Sequence, residues 1–414
     1  MQFFLDFFFG AGSTRQLCTL NSAGRFVSVA GALMTPTLTA APRSPLRLLR
    51  LQEGGLLVVI FMLGLLLTLF GGTVRVPYLQ ANEKGERVMV VRTNTAGEVA
   101  PVLIEKNKFL NAQNLTQLAK DTSFIAIMAV GATFVIIAGG IDLSVGAIYA
   151  LASVLAAMLF HRYGSEGADS VVSPWPTVML GMLVCIGTAT ACGLLNGGMI
   201  VALRVHPFII TLGTMAIFRG IAFVITKGQS VGGFPGLFRK LVRWETSNGL
   251  SVVPLLVMVL VVIASAIYLS FTAAGRRIFA VGGNELASRY SGIRVDRVRL
   301  GVFVFSGLTA GLAALLALGY YGSASSGDGA GYELDVIAAA VVGGASLSGG
   351  RGSALGAMLG AFIIKMIDNG IVILEIDQSY SKIIIGLAVI LAVVLDQTNA
   401  WLTKRRLAAQ AAKH

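Results

Sequence analysis

Four stretches of this sequence carry polar side chains suited to chemistry or recognition. The first reads GGIDLSVG over residues 139–146 and sets Asp142 in apolar surroundings. A carboxylate at membrane depth is costly unless it is hydrogen-bonded or hydrated. Two readings follow. Asp142, with Ser144 and Gly146 beside it, satisfies the free N–H groups of a helix N-terminus, or it contacts a polar solute. A broken helix presenting its N-terminus to a solute makes both true. The second stretch is GLLNGG, where the amide of Asn196 suits hydrogen bonding across helices or contact with the same solute. The third, GGASLSGGRG over residues 343–352, carries Ser346 and Ser348 on a glycine-rich joint that fits a re-entrant or tightly turning element. Asp142, Asn196, Ser346 and Ser348 are therefore the candidates for a translocation route.

The fourth stretch is GRRIFAVGGNELASRYSGI, Gly275 to Ile293. Its first half is glycine-rich. Its middle, Glu285 to Tyr290, reads as a short helix started by Asn284, with Arg289 and Tyr290 marking one face. Such a helix outside the bilayer either lies on anionic lipid or docks on a soluble partner, and its residues leave both open. Nothing else offers catalysis. There is no GxxxxGK[ST] loop, no HExxH and no zinc cysteine cluster. Cys18, Cys185 and Cys192 lack metal spacing, and the last two share one apolar run as packing residues. His206 precedes Pro207, which suits the first turn of a helix, so His206 needs no catalytic role.

The elements that must hold these residues are apolar runs. The 414 residues are 55% hydrophobic and 13% charged, with mean hydropathy +0.80. A typical soluble chain is about 25% charged, so the solvent for most of these side chains is lipid. Gly is 50 of 414 and lies within the apolar runs, where small residues let membrane helices approach closely. The net charge of +12 comes from residues between the runs, never in an aromatic-interleaved patch, so membrane orientation explains it and nucleic acid does not. The expected fold is all-α: a polytopic transmembrane bundle with broken or re-entrant elements.

About ten spans are expected: 54–74, 119–138, 141–160, 175–203, 207–226, 252–271, 301–319, a short 336–347, 353–367 reaching toward 373, and one centred on 383–395. Trp175 suits an interface anchor. Residues 1–50 read as a poorly ordered extension, with Met34 as an alternative start. The apolar stretch 26–41, ending at Ala40–Ala41, has the outline of a signal peptide. The spanning domain covers 51–403, with an extramembrane insert at 80–106 that forms a short hairpin around Val88–Val91 and Val99–Ile104. The loop 272–299 holds six arginines against Glu285 and Asp296, and the tail 404–414 opens on Lys404, Arg405 and Arg406. Basic loops stay in the cytoplasm, so both termini and the 272–299 loop are expected there, and the Lys/Arg-free 320–335 loop outside. The mixed 75–118 loop then also falls outside, despite its lysines and arginines.

Over roughly residues 107–397 the chain resembles the monosaccharide permeases of bacterial ATP-binding-cassette importers, the ribose, xylose, arabinose and galactofuranose group. The resemblance is carried by GGIDLSVGAIYALAS, HPFIITLGTMAIFRGIAF, GRRIFAVGGNELASRYSGI, GYELDVIAAAVVGGASLSGGRGS and IIIGLAVILAVVLD. It implies an inner-membrane subunit that pairs with a second permease subunit and two cytoplasmic ATPase subunits. A periplasmic binding protein delivers the monosaccharide. Gly282, Gly283, Asn284, Glu285, Ala287, Arg289 and Gly292 then look like the segment that couples to the ATPase. The resemblance also implies no cofactor on this chain, with ATP used by the partner subunit. A permease for a nucleoside or another small polar solute is the nearest alternative. An ion-coupled secondary transporter is a second, although Asp142 is the one strongly placed acid within the expected spans. A membrane scaffold or receptor is a third.

Overall fold

The computed structural model describes residues 51–77, 79–81, 87–89, 91–93, 99–164, 174–244 and 251–387, and singly 390, 391, 394 and 398. The extension over 1–50 and the tail over 404–414 lie outside the described residues.

Twelve helices are bounded within that set. They are α1 (Leu51–Phe70), α2 (Ala112–Ile137), α3 (Val145–Tyr163), α4 (Pro174–Leu203), α5 (Pro207–Thr226) and α6 (Gly236–Val242), then α7 (Val252–Phe271), α8 (Ala273–Gly283), α9 (Glu285–Tyr290), α10 (Val295–Tyr321), α11 (Tyr332–Val342) and α12 (Ala354–Ile373). Eight of them, α1, α2, α3, α4, α5, α7, α10 and α12, are long and apolar enough to cross a bilayer. The expected short segment at 336–347 is α11, eleven residues that run antiparallel to α12 with Ala339 beside Gly360 and Gly343 beside Gly356. The last expected span, 383–395, is helical at 381–387 and at 390, 391 and 394, with its other positions outside the described residues.

Three boundaries differ from the sequence reading, each for a local reason. The second span starts at Ala112, because Asn111 Oδ1 accepts the Asn114 N–H at 2.8 Å and caps a polar first turn. The seventh starts at Val295 and carries its arginines within the helix. The third begins at Val145, four residues late, because 138–144 is not helical.

α2 is the central helix, buried from Thr122 to Ile137 and packed by α10, α12, α11 and α7. α1, α5 and α7 keep wide apolar faces exposed, the surface that hydrocarbon covers. Between α1 and α2 the expected hairpin is met only in part: β4 (Val91–Thr93) pairs with β5 (Val99–Pro101), whereas Val88 lies in β3 (Arg87–Met89), which pairs with β2 (Leu79–Ala81) in a separate hairpin. At the base β1 (Thr73–Pro77) pairs with β6 (Leu103–Asn107). The register closes at the base because Asn107 Nδ2 donates to the Thr68 carbonyl of α1 at 2.8 Å. A two-residue pairing of β7 (Val231–Gly232) with β8 (Ser323–Ala324) ties the loops after α5 and α10.

Candidate functional site

Three of the singled-out stretches, far apart in sequence, meet at one end of the bundle. α2 ends at Ile137, and the next three N–H groups bond back to it, Gly140 to the Val135 carbonyl at 2.9 Å. Gly282 packs so closely there that a Cβ on it would stand 1.6 Å from the Ile137 carbonyl oxygen, a position only glycine fills. The same Ile137 oxygen accepts the Gly350 N–H at 2.8 Å. So AVGGNE and GGASLSGGRG meet at one carbonyl, two residues before GGIDLSVG begins. Ser346 lies buried in this turn, where its N–H donates to the Arg351 carbonyl at 3.1 Å, and Ser348 is exposed.

From that junction residues 138–144 run back into the bundle. Ser306 of α10 touches Gly131 of α2, and it also donates its Oγ hydrogen to Asp142 Oδ2 at 2.8 Å. Asp142 is therefore tied to the α10 residue that packs on Gly131, six residues before the end of α2. Asp142 Oδ1 accepts the Ser144 N–H at 3.0 Å and the Ser144 hydroxyl at 2.6 Å. Asn196 Nδ2 of α4 donates to Ser144 Oγ at 2.7 Å, and Asn196 Oδ1 has no hydrogen-bond partner among the described residues. Asp142 thus closes the turn before α3 rather than bonding the first N–H groups of the helix. Asp142, Ser144, Asn196 and Ser306 are all buried, and they knot α3, α4 and α10 together. The knot needs close backbones. Gly193 and Gly307 supply them, since a Cβ on Gly307 would meet the Ala189 oxygen at 2.3 Å.

The glycine-rich half of the 275–293 stretch is helical. Thr272 Oγ1 accepts the Gly275 N–H at 2.9 Å and starts α8, whose Ile278 and Val281 are buried. Asn284 Oδ1 accepts the Ala287 N–H at 2.9 Å and starts α9, as its sequence suggests. Glu285 pairs with Arg289 at 3.1 Å and with Arg299 of α10, and Arg289 reaches Asp296 at 2.9 Å. Hydrogen bonds to Asp296, then to Glu285, hold the Arg289 guanidinium above its ordinary pKa. A Cβ on Gly283 would meet nothing, although its backbone packs on Gly350, and Gly292, at φ 79°, turns the chain from α9 into α10. Two large apolar side chains remain uncovered on this clamped helix: Leu286 is 61% exposed and Tyr290 is 83% exposed.

The opposite end holds a polar cavity that the sequence reading missed. It measures ≈430 Å³ and is lined by Asn114, Gln117 and Asp121 of α2, Tyr321 of α10, Tyr332 of α11, and Lys365, Asp368 and Asn369 of α12. Asn114 and Asn369 exchange hydrogen bonds at 3.1 and 2.7 Å. Lys365 Nζ reaches Asp368 at 2.8 Å and Asp335 at 3.8 Å, and the Tyr321 hydroxyl donates to Asp121 at 3.2 Å. Asp335 is another buried acid, besides Asp142 and Glu53, and pairs also with Lys382 at 3.6 Å. The signal was available: 114, 117 and 121 fall on one helical face, as do 365, 368 and 369. Arg219 is a further omission, a lone charge inside an apolar span. Its Nη1 donates to the carbonyls of Ser326, at 2.9 Å, and Asp328, pulling the loop between α10 and α11 inward. Among the described residues no group of three His, Cys, Asp or Glu side chains is placed to hold a metal ion.

Comparison with known proteins adds a family. Residues 114–393 match the profile described as the permease component of the branched-chain amino acid transport system. A ribose import permease protein of Bacillus subtilis is 37% identical over 300 residues, which is 72% of this chain and 89% of that protein. A D-allose transport system permease protein of Escherichia coli is 37% identical over 290 residues, 70% and 85% of the two chains. A fructose import permease protein of Rhizobium meliloti is 32% identical over 303 residues, 72% and 80%. No solved structure matches the chain.

Proposed function

Because the chain belongs to this family of transport-system permease components, we propose that it is the membrane-spanning subunit of an ATP-binding-cassette importer for a monosaccharide. The relatives that cover most of its length carry ribose, allose and fructose in their names. ATP hydrolysis belongs to a separate pair of cytoplasmic ATPase subunits. A second permease subunit completes the pathway, and a periplasmic binding protein delivers the sugar. The arginine-rich end, with α8 and α9, faces the cytoplasm of a bacterial inner membrane, as do both termini.

One observation carries the coupling part of this reading. The bare faces of Leu286 and Tyr290 stand on a helix held rigid by the Glu285, Arg289, Asp296 and Arg299 network. An exposed aromatic on a fixed short helix is the profile of an interface anchor. When the ATPase pair closes, α9 moves. The motion passes along α10 from Arg299 to Ser306, two helical turns on, and so to Asp142 and the start of α3. The close contact of Gly282 with Ile137 passes the same motion to the re-entrant leg. ATP then favours one of two arrangements through its differential binding to them.

The sugar enters beside the polar cavity, whose ≈430 Å³ lies within the roughly 300–1,000 Å³ of small-molecule pockets. Asp142, Asn196 and Ser306 serve the route as its joint, and Ser346 and Ser348 lie at its cytoplasmic side. The test is reconstitution with the ATPase subunits and the binding protein. Sugar uptake that requires all three components and ATP supports the reading. Equal uptake and ATPase binding after Leu286→Ser with Tyr290→Ser would remove α9 from the coupling role.

A further inference from the structure

A second cavity, of ≈1110 Å³, opens between α7, α8 and α10 at the arginine-rich end, with Phe134 of α2 in its wall, and shares no lining residue with the polar cavity. Arg276 and Arg277 of α8 and Arg294 and Arg297 at the start of α10 stand at its mouth, all exposed. Among the described residues none of these four has an ion-pair partner. The nearby carboxylates, Glu285 and Asp296, are taken by Arg289 and Arg299. Behind the mouth the lining turns apolar, with Tyr268, Val302, Phe305 and Leu308 along it. From Arg294 to Leu308 is fourteen residues of α10. That is roughly 21 Å, against about 15 Å for half the hydrocarbon core.

Four unpaired guanidiniums at the membrane surface, above an apolar trough one leaflet deep, match a molecule with an anionic head and an acyl chain. We propose that this cleft binds one anionic phospholipid. Its phosphate sits among Arg276, Arg277, Arg294 and Arg297, and one chain lies along Val302, Phe305 and Leu308. A free anion makes no use of the trough, and a zwitterionic lipid leaves the net charge of the mouth uncompensated. The bound lipid bridges α8 to α10, so it stiffens the segment that carries α9.

The charge and the trough are separable by substitution. A Cβ built on Gly301, in the cleft wall, meets nothing within 4 Å. Gly301→Trp therefore fills the trough and leaves every arginine in place. The full-length protein, delipidated in mild detergent, is titrated with phosphatidylglycerol, phosphatidylcholine or inorganic phosphate and read by native mass spectrometry. Size-exclusion profile and thermal midpoint serve as folding controls. The wild type should take up one phosphatidylglycerol in preference to phosphatidylcholine, and phosphate should not displace it. At about fivefold per guanidinium near a lipid surface, Arg294→Gln with Arg297→Gln should weaken that binding about 25-fold. Gly301→Trp should weaken it at least as much. Should the arginine variant not fold, the Gly301→Trp arm decides alone. Equal uptake of phosphatidylcholine, displacement by phosphate, or undiminished phosphatidylglycerol binding to folded Gly301→Trp would each overturn the proposal.

Discussion

Removing the Asp142 carboxylate tests the knot that joins α3, α4 and α10. Asp142→Ala strands three donors, the Ser144 N–H, the Ser144 hydroxyl and the Ser306 hydroxyl, all at buried residues. A stranded buried donor costs about 1–3 kcal/mol. The two hydroxyls have free rotors and recover part of that by turning to helix carbonyls, whereas the N–H has no such freedom. The expected loss is about 2–5 kcal/mol in total. At roughly 2 °C per kcal/mol for a large chain, the apparent midpoint falls by about 4–10 °C. Asp142→Asn behaves differently. Its amide oxygen keeps both bonds from Ser144, and its NH₂ group donates to Ser306 Oγ once that hydroxyl reverses. Its midpoint should fall by less than half as much. The assay is unfolding of the detergent-solubilised protein followed by tryptophan fluorescence at one fixed scan rate, since membrane proteins unfold irreversibly. Transport is measured in parallel. Two results would refute the reasoning. One is an Asp142→Ala protein as stable as wild type but inactive, which would make the carboxylate a solute contact. The other is an Asp142→Asn protein as unstable as the alanine variant.

Other consequences follow from the same geometry. Glu285→Gln breaks two part-exposed ion pairs, each worth under about 1 kcal/mol, so the midpoint should barely move. ATPase stimulation by the loaded binding protein should drop several-fold, and an unchanged coupling ratio would count against the clamp. Gly282→Val drives a side chain into the Ile137 carbonyl and should uncouple ATP hydrolysis from uptake while the protein still inserts, as read by transport per ATP in proteoliposomes. Gly307→Leu separates α4 from α10 at the Ala189 contact and should lower the yield of monodisperse protein. Hydrogen bonding from Lys108, more than its charge alone, holds the Glu375 carboxyl below its ordinary pKa. A carboxyl so lowered contributes stability above its ordinary value and loses it as pH falls through the lowered one. Lys108→Met should return that titration to the ordinary range by carbon NMR.

Much of the fold was legible because apolar runs of about twenty residues announce themselves. Helix α9 was legible to the residue, since Asn284 is a strong cap in front of a short helical run. What sequence could not give was depth. Gly139–Gly140 reads as the break between two spans, yet the whole of 138–144 is non-helical and returns into the bundle, because Asp142 finds Ser306 there. No local pattern connects residues 164 apart. Ser346 and Ser348 grouped with Asp142 by composition, and the structure sets their turn beside Gly282 instead. The polar cavity escaped because its residues sit at the ends of four helices, where polar side chains are ordinary. Only the fold brings Asn114 to Asn369 and Asp121 to Tyr321.

The most direct measurement is uptake of radiolabelled pentoses and hexoses into proteoliposomes holding this chain with its ATPase partners, the loaded binding protein on one side and ATP on the other. We expect accumulation of one sugar that stops when ATP, the ATPase subunits or the binding protein is withheld. Accumulation by the chain alone under a proton or sodium gradient would contradict the account.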